Sequence, residues 1–339
     1  MRFGIFDHVE RRTDVSLAQQ FAQRLEYAHA ADDAGFFCYH VAEHHNSPLC
    51  LAPNQAVYLS AVAQHTKNIR LSALVYVLPL HHPVRLIEEI SMLDQISGGR
   101  FEVGVGRGTD RAQELRMWGG DAEENNARFD ESLDVLVQGL QCEFLTHNGP
   151  YYQFKDLWMA LRPMQQPVPP LWWPGNADHA GAWGMNFLAG GGTASDLRAT
   201  MQRFRDAYAA SDKKYLAGRE EPLRGVVKRV FIGSTQESAQ TRAKAAWDSY
   251  RSHFAKPLPG GRIDPDEIPI PAKVEYATAV AAESVLAGTV ESVRDYVVRF
   301  AEEAGANYLV LSFQWGDITH EEAISSLGAF ADKVIPAVA

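Results

Sequence analysis

Cysteine is scarce in this chain. Cys38, Cys50 and Cys142 are the three among 339 residues, and none stands in a CxxC spacing. A sparse, odd count excludes a disulfide framework or zinc ribbon as the organising device and makes the cytoplasm the expected compartment. No apolar run reaches the roughly 18 residues a membrane span needs. The opening MRFGIFDHVE is charged and strand-like, unlike a signal peptide. Basic clusters are also missing. Lys and Arg number 32 against 42 Asp and Glu, for a net charge of −10. That disfavours nucleic acid or an anionic membrane as a partner, because phosphate binding needs clustered cations. There are no heptads or tandem repeats, no Walker loop, and no G-x-S-x-G elbow to supply a hydrolase nucleophile.

What is present is a globular composition, 46% apolar and 22% charged. Strand and helix patterns alternate. Arg2–His8, Phe36–Ala42, Ile69–Val77, Phe101–Val105, Leu171–Pro174, Asn186–Ala189, Val226–Ile232 and Tyr308–Ser312 read as strands. Between them, Leu17–Ala34, Pro53–His65, Pro83–Ile96, Arg128–Leu145, Asp178–Trp183, Ser195–Ala210, Gln236–His253, Val290–Ala304 and Glu321–Val334 read as helices. Leu86, Ile90 and Leu93, for example, fall on one helical face, with Pro83 at its start. Alternation of this kind predicts a parallel sheet, and about eight units predict a (β/α)₈ TIM barrel with insertions. An open doubly wound sheet would place a glycine fingerprint after the first strand, where Phe6-Asp7-His8-Val9-Glu10 stands instead. No linker divides residues 1–339. A segment rich in Pro and Gly, Ala255–Pro271, interrupts the rhythm.

Active sites in this fold gather at the C-terminal strand ends. Asp7 and His8, Glu43-His44-His45, Val77–His82, Gly106–Asp110, Gly175–Asp178, Gly190–Thr193 and Gln314–Asp317 all fall there. GVGRG, Gly104–Gly108, lets backbone N–H groups approach a phosphate and offers the Arg107 fork, although taken alone a tight barrel turn is the plainer reading. In RPMQQPVPPLWWPGN, Trp172 and Trp173 point to opposite sides of a strand. The turn Gly175-Asn176-Ala177-Asp178 has N–H groups free for an anion, or is simply a capped helix start. Metal-dependent barrels favour alternating histidines on the first strand. Here His44 and His45 are adjacent, as are His81 and His82, so no metal is expected. A single His acting as acid, base or hydrogen-bond donor fits better.

Three motifs, AEHHNSP (Ala42–Pro48), LPLHHPVRLIEEISMLDQISGGRFEVGVGRG (Leu78–Gly108) and LRPMQQPVPPLWWPGN (Leu161–Asn176), resemble the bacterial luciferase-like flavin monooxygenases, in order and across nearly the whole chain. The resemblance implies a barrel using reduced FMN and molecular oxygen through a flavin 4a-peroxide, fed by a separate NAD(P)H-dependent flavin reductase. It makes His44 the catalytic histidine beside the flavin, preceded by Glu43. Arg107, flanked by Gly106 and Gly108, would hold the FMN phosphate with the turn Gly175-Asn176-Ala177-Asp178-His179. That turn lacks the small hydroxyl residues of luciferases. Leu74 and Val75 match the site of a non-proline cis peptide against the flavin ring. Gly106 stands where luciferases carry a reactive Cys, so light emission is not implied. Residues from about His253 to Glu283 match the mobile active-site loop, and a homodimer is implied through helices near the second and third strands. A deazaflavin-dependent hydride transferase and a non-catalytic flavin-binding protein are the alternatives. Phe6, Tyr76, Trp173 and Trp315 near the rim point to a small, largely apolar substrate.

Overall fold

The computed structural model describes residues 1–108, 112–255 and 270–338. The first half alternates regularly: β1 (Arg2–Asp7), α1 (Leu17–Asp33), β2 (Cys38–Val41), α2 (Gln55–His65), β3 (Arg70–Val77), α3 (Pro83–Ile96) and β4 (Phe101–Gly106). Then come α4 (Ala112–Met117), α5 (Asn125–Gln141) and a hairpin of β5 (Phe144–Asn148) and β6 (Gln153–Trp158). The second half runs β7 (Leu171–Pro174), α6 (Ala177–Ala182), β8 (Asn186–Ala189), α7 (Ala194–Ala210), β9 (Arg224–Ile232) and α8 (Gln236–Ser252). It ends with α9 (Ile270–Lys273), α10 (Tyr276–Ala281), β10 (Val285–Gly288), α11 (Val290–Glu303), β11 (Tyr308–Ser312) and α12 (His320–Lys333). Side chains written into the sequence set the helix starts. Thr193, Thr235 and Thr319 each cap a helix in a reciprocal box with the residue three positions on.

β1, β2, β3, β4, β7, β8, β9 and β11 pair in that order, all parallel, and β11 returns to β1. This closed eight-stranded barrel is the (β/α)₈ fold expected. β10 is an addition. β8 pairs with β9 at Arg224–Val226, and β10 takes over the same edge at Arg229–Ile232, raising the wall toward the C-terminal end. Two expectations are corrected. The helix expected at Arg128–Leu145 spans Asn125–Gln141, and Phe144 and Leu145 belong to the β5–β6 hairpin, which the pattern did not reveal. β10 was also not foreseen. Of the interruption at Ala255–Pro271, residues 256–269 lie outside the described residues, as do Thr109 and Asp110; part of the loop expected over 253–283 shares that fate.

Alternation along the strands makes two cores. Leu74, Trp172, Leu188, Tyr308 and Val310 fill the barrel interior. Ile5, Val41, Leu71, Val103, Phe187 and Leu309 lie between strands and helices. Trp172 and Trp173 divide between the two, as expected. Among the described residues no helix is long and apolar enough to cross a membrane.

Candidate active site

The C-terminal mouth of the barrel holds a cavity of about 350 Å³. Seven of the twelve expected site residues line it: Glu43, His44, Leu74, Val75, Gly106, Arg107 and Gly108. The Leu74–Val75 peptide bond is cis, at the place expected, and β3 shifts register against β4 between Ala73 and Tyr76. A Cβ at Gly106 would come within 2.5 Å of Val75 Cγ2. That contact explains why no side chain, cysteine included, stands there. Gly108 adopts a φ of 79°, which glycine takes without strain.

His44 is placed by the turn after β2. Its ring stacks on His8 with centroids 5.7 Å apart. Its Nδ1 is enclosed and has no hydrogen-bond partner; Glu114 Oε1 stands 3.9 Å away, beyond hydrogen-bonding reach. His8 is buried, edge-on to Phe6 at 4.8 Å. Burial, and then the neighbouring His44 and Arg229, push its pKa well below the usual histidine value, so it is neutral near pH 7.

Glu43 shares the cavity wall, but its carboxylate is engaged elsewhere. His45 Nε2 donates to Oε1 at 2.7 Å, the Val77 N–H donates to Oε2 at 2.9 Å, and His81 Nε2 lies 3.1 Å from each oxygen. Burial alone would raise the Glu43 pKa; the hydrogen bonds from His45 and His81 outweigh it and hold it below the ordinary value. His81 is the counterpart. Burial would lower its pKa, yet the Glu43 carboxylate raises it. Glu43 thus ties the β2 turn to the end of β3. Asp7 is likewise engaged, accepting from Tyr39, the Val9 N–H and Arg24.

Arg107 leaves the end of β4 and lies over the rings of Phe129 and Trp173, at 5.6 and 5.5 Å. Its Nη1 makes a long 3.4 Å bond to Asn126, and its Nε is enclosed without a partner. Among the described residues no carboxylate pairs with it. The turn Gly175–His179 follows directly from Trp173 and Pro174 but does not line the cavity. Asn176 Oδ1 accepts from the His179 N–H at 3.0 Å, which is the capping role. Asp178 pairs with Arg203, and the His179 ring lies on Trp183. Ala177 is buried.

Of the four aromatic residues expected at the rim, Phe6 and Trp173 line the cavity. Tyr76 instead faces a separate recess of about 610 Å³ behind Glu43. Trp315 is buried, with Nε1 donating to the Val230 carbonyl at 3.2 Å. Sequence reasoning missed Glu114, Arg229 and Tyr250. The Lys228-Arg229 pair in β9 gave no sign of which cation faces inward. Among the described residues no group of His, Cys, Asp and Glu could hold a metal ion.

The mouth of this parallel barrel thus brings together an arginine with no carboxylate among the described residues, an unpartnered histidine nitrogen and an apolar wall. The chain belongs to the luciferase-like monooxygenase family, whose model matches residues 1–330. An uncharacterised Sinorhizobium fredii protein, y4wF, is 35% identical over 94% of this chain and 92% of its own. The oxygenase component of the flavin-dependent trigonelline monooxygenase of Acinetobacter baylyi is 34% identical over 51% of this chain and 48% of its own. Among solved structures, monooxygenase RslO1 from Streptomyces bottropensis superposes with a TM-score of 0.84 at 23% identity, covering both chains completely. The oxygenating constituent of 3,6-diketocamphane monooxygenase from Pseudomonas putida, in complex with FMN, gives 0.77 at 21%, covering 100% of this chain and 99% of that one. An F420-dependent secondary alcohol dehydrogenase gives 0.76 at 20%, with the same coverage.

Proposed function

We propose that this enzyme is the oxygenase half of a two-component system, taking reduced FMN from a separate NAD(P)H-dependent flavin reductase and using molecular oxygen to oxygenate a small organic molecule. One observation carries the reading: a single cavity is lined by Arg107, a guanidinium with no carboxylate among the described residues, by His44 with its unpartnered Nδ1, and by the apolar Leu74 and Val75. Those features fit FMN. A lone cation suits a phosphate, and Phe6, Leu74 and Val75 offer a flat ring an apolar face. Bound reduced flavin would supply the electrons that activate oxygen.

The chain's own part is placement and proton control. Arg107 holds the phosphate, helped by the backbone at Gly106 and Gly108. His44 holds or moves a proton at Nδ1 beside the reacting atoms. Neutral His8 stacks behind it and keeps its ring in place. Glu43 positions His44 by anchoring the turn on either side of it. The FMN-bound camphane enzyme supports the choice of cofactor, and the trigonelline oxygenase component supports a separate reductase. Val57, Met92 and Ile96 leave apolar surface exposed on α2 and α3, which supports a homodimer through those helices.

The test mixes anaerobic protein and reduced FMN with oxygen in a stopped-flow instrument. A flavin species that outlives free-flavin oxidation supports the monooxygenase. Oxidation at the free-flavin rate, with tight binding of a reduced deazaflavin instead, moves the assignment to hydride transfer.

A further inference from the structure

The mouth holds a second cation that the flavin reading leaves unused. Val227 packs in the barrel interior with Tyr308 and Val310. Arg229, two residues further along β9, therefore faces the same interior. Its guanidinium lies 3.8 Å from the centroid of the Tyr250 ring and 5.6 Å from that of Trp247. Tyr250 in turn lies 6.1 Å from His8, which lines the cavity with His44. Arg229 Nε is enclosed without a hydrogen-bond partner, and among the described residues no carboxylate pairs with the guanidinium.

That isolation contrasts with the other enclosed arginines. Arg24 is paired with Asp7, Arg70 and Arg219 share Glu102, and Arg242 holds Asp317 and Glu322. Arg107 resembles Arg229 in this, and it projects from β4. In the barrel order, β7 and β8 separate β4 from β9 on one side, with β3, β2, β1 and β11 on the other. The two cations thus stand across the mouth from each other, and the single phosphate assigned to Arg107 leaves Arg229 without an anion.

A second enclosed group follows the neighbouring strand. Ser312 of β11 is the register partner of Arg229, and Gln314 follows two residues later. Gln314 is 2% exposed, and neither its amide nitrogen nor its amide oxygen has a partner. Ring faces partly compensate a cation, but they satisfy neither an enclosed N–H nor a buried amide. A carboxylate answers the donors of both: two oxygens match the guanidinium fork, and the Gln314 N–H₂ donates to the remaining lone pairs, leaving Gln314 Oε1 as an acceptor that the carboxylate does not fill.

We propose that Arg229 and Gln314 form the carboxylate-recognising end of the substrate pocket, so that the molecule oxygenated here is a small organic acid with an apolar body. The word substrate rests on the monooxygenase reading; the carboxylate site does not.

The test titrates the full-length protein with benzoate and with benzamide by calorimetry, without flavin and then with FMN. Benzoate is expected to bind at least about tenfold more tightly than benzamide, the weight of a charge-assisted hydrogen bond. Arg229→Gln is expected to bring the two within about twofold, and Gln314→Leu to weaken benzoate by at least about threefold. Thermal melting checks that each variant folds; should Arg229→Gln melt early, Gln314→Leu decides the matter. Equal binding of the two probes by the parent protein overturns the proposal. So does a preference that survives both substitutions, and so does a loss of FMN affinity in Arg229→Gln, which would give this arginine to the flavin. Failure of the parent protein to bind FMN sinks the monooxygenase reading instead, because the benzoate preference is read without flavin.

Discussion

The two ends of the barrel handle buried charge in opposite ways. At the base, Glu102 of β4 is fully buried between Arg70 and Arg219 and accepts from Trp172 Nε1. Each guanidinium has further partners, Gln165 for Arg70 and Asn186 for Arg219, both at 2.7 Å. At the mouth, Arg107 and Arg229 each carry an enclosed Nε with no acceptor, and His44 Nδ1 is equally idle. Paired charge at the base closes and orders the strands. Unpaired charge at the mouth waits for a ligand's anion, in keeping with the division between the stable and reactive faces of this fold.

Breaking the base should produce the largest effect. Glu102→Ala leaves two guanidiniums facing each other without an anion, a change that costs about 3–5 kcal/mol when one partner of a buried pair is removed. Urea unfolding measures it. A loss below about 1 kcal/mol would mean that the base does not depend on this charge. At the mouth, His44→Ala should lower substrate oxygenation by on the order of a hundredfold, the usual scale for a positioned acid or base, while FMN affinity holds. Unchanged turnover would remove His44 from the chemistry. Arg107→Ala should weaken FMN binding by about tenfold, as expected for one charge-assisted phosphate contact, with little change in unfolding stability. An opposite pattern, unaltered affinity but a large fall in stability, would make Arg107 a base-type residue misplaced at the mouth.

The same contrast explains what could be read from the sequence. Where burial imposes alternation or a helical stripe, the pattern was legible: α3 runs Pro83–Ile96 as expected, and the eight barrel strands were all foreseen. The β5–β6 hairpin escaped because Phe144 and Trp158 are exposed, so nothing forces their strands into a buried rhythm. β10 escaped because four residues, Val285–Gly288, are too few to show a period. Glu43, His44 and Arg107 were found because strand ends mark the mouth. Arg229 was not, because a lysine precedes it and only register tells which of the two faces inward. Tyr76 and Trp315 were placed at the rim by residue type alone, and packing took them elsewhere.

Glu43 is a paired charge within the functional end, and its pairing should show in the pH dependence of stability. The Glu43 pKa is held below its ordinary 4.5, so its contribution is present above that value and is lost as pH falls through the folded pKa. The His81 pKa is raised above 6.5, so its contribution is complete below 6.5 and is lost as pH rises through the folded pKa. Together they are strongest between about pH 4.5 and 6.5. Thermal melts of the parent protein and His81→Gln at pH 5.5 and 8.5 test this. The parent's advantage should be a few degrees at pH 5.5 and smaller at pH 8.5, because an uncharged glutamine keeps the hydrogen bond but not the proton-linked part. An advantage that grows toward pH 8.5 would mean that Glu43 holds a neutral His81, and that the mouth, unlike the base, contains no ion pair at this position.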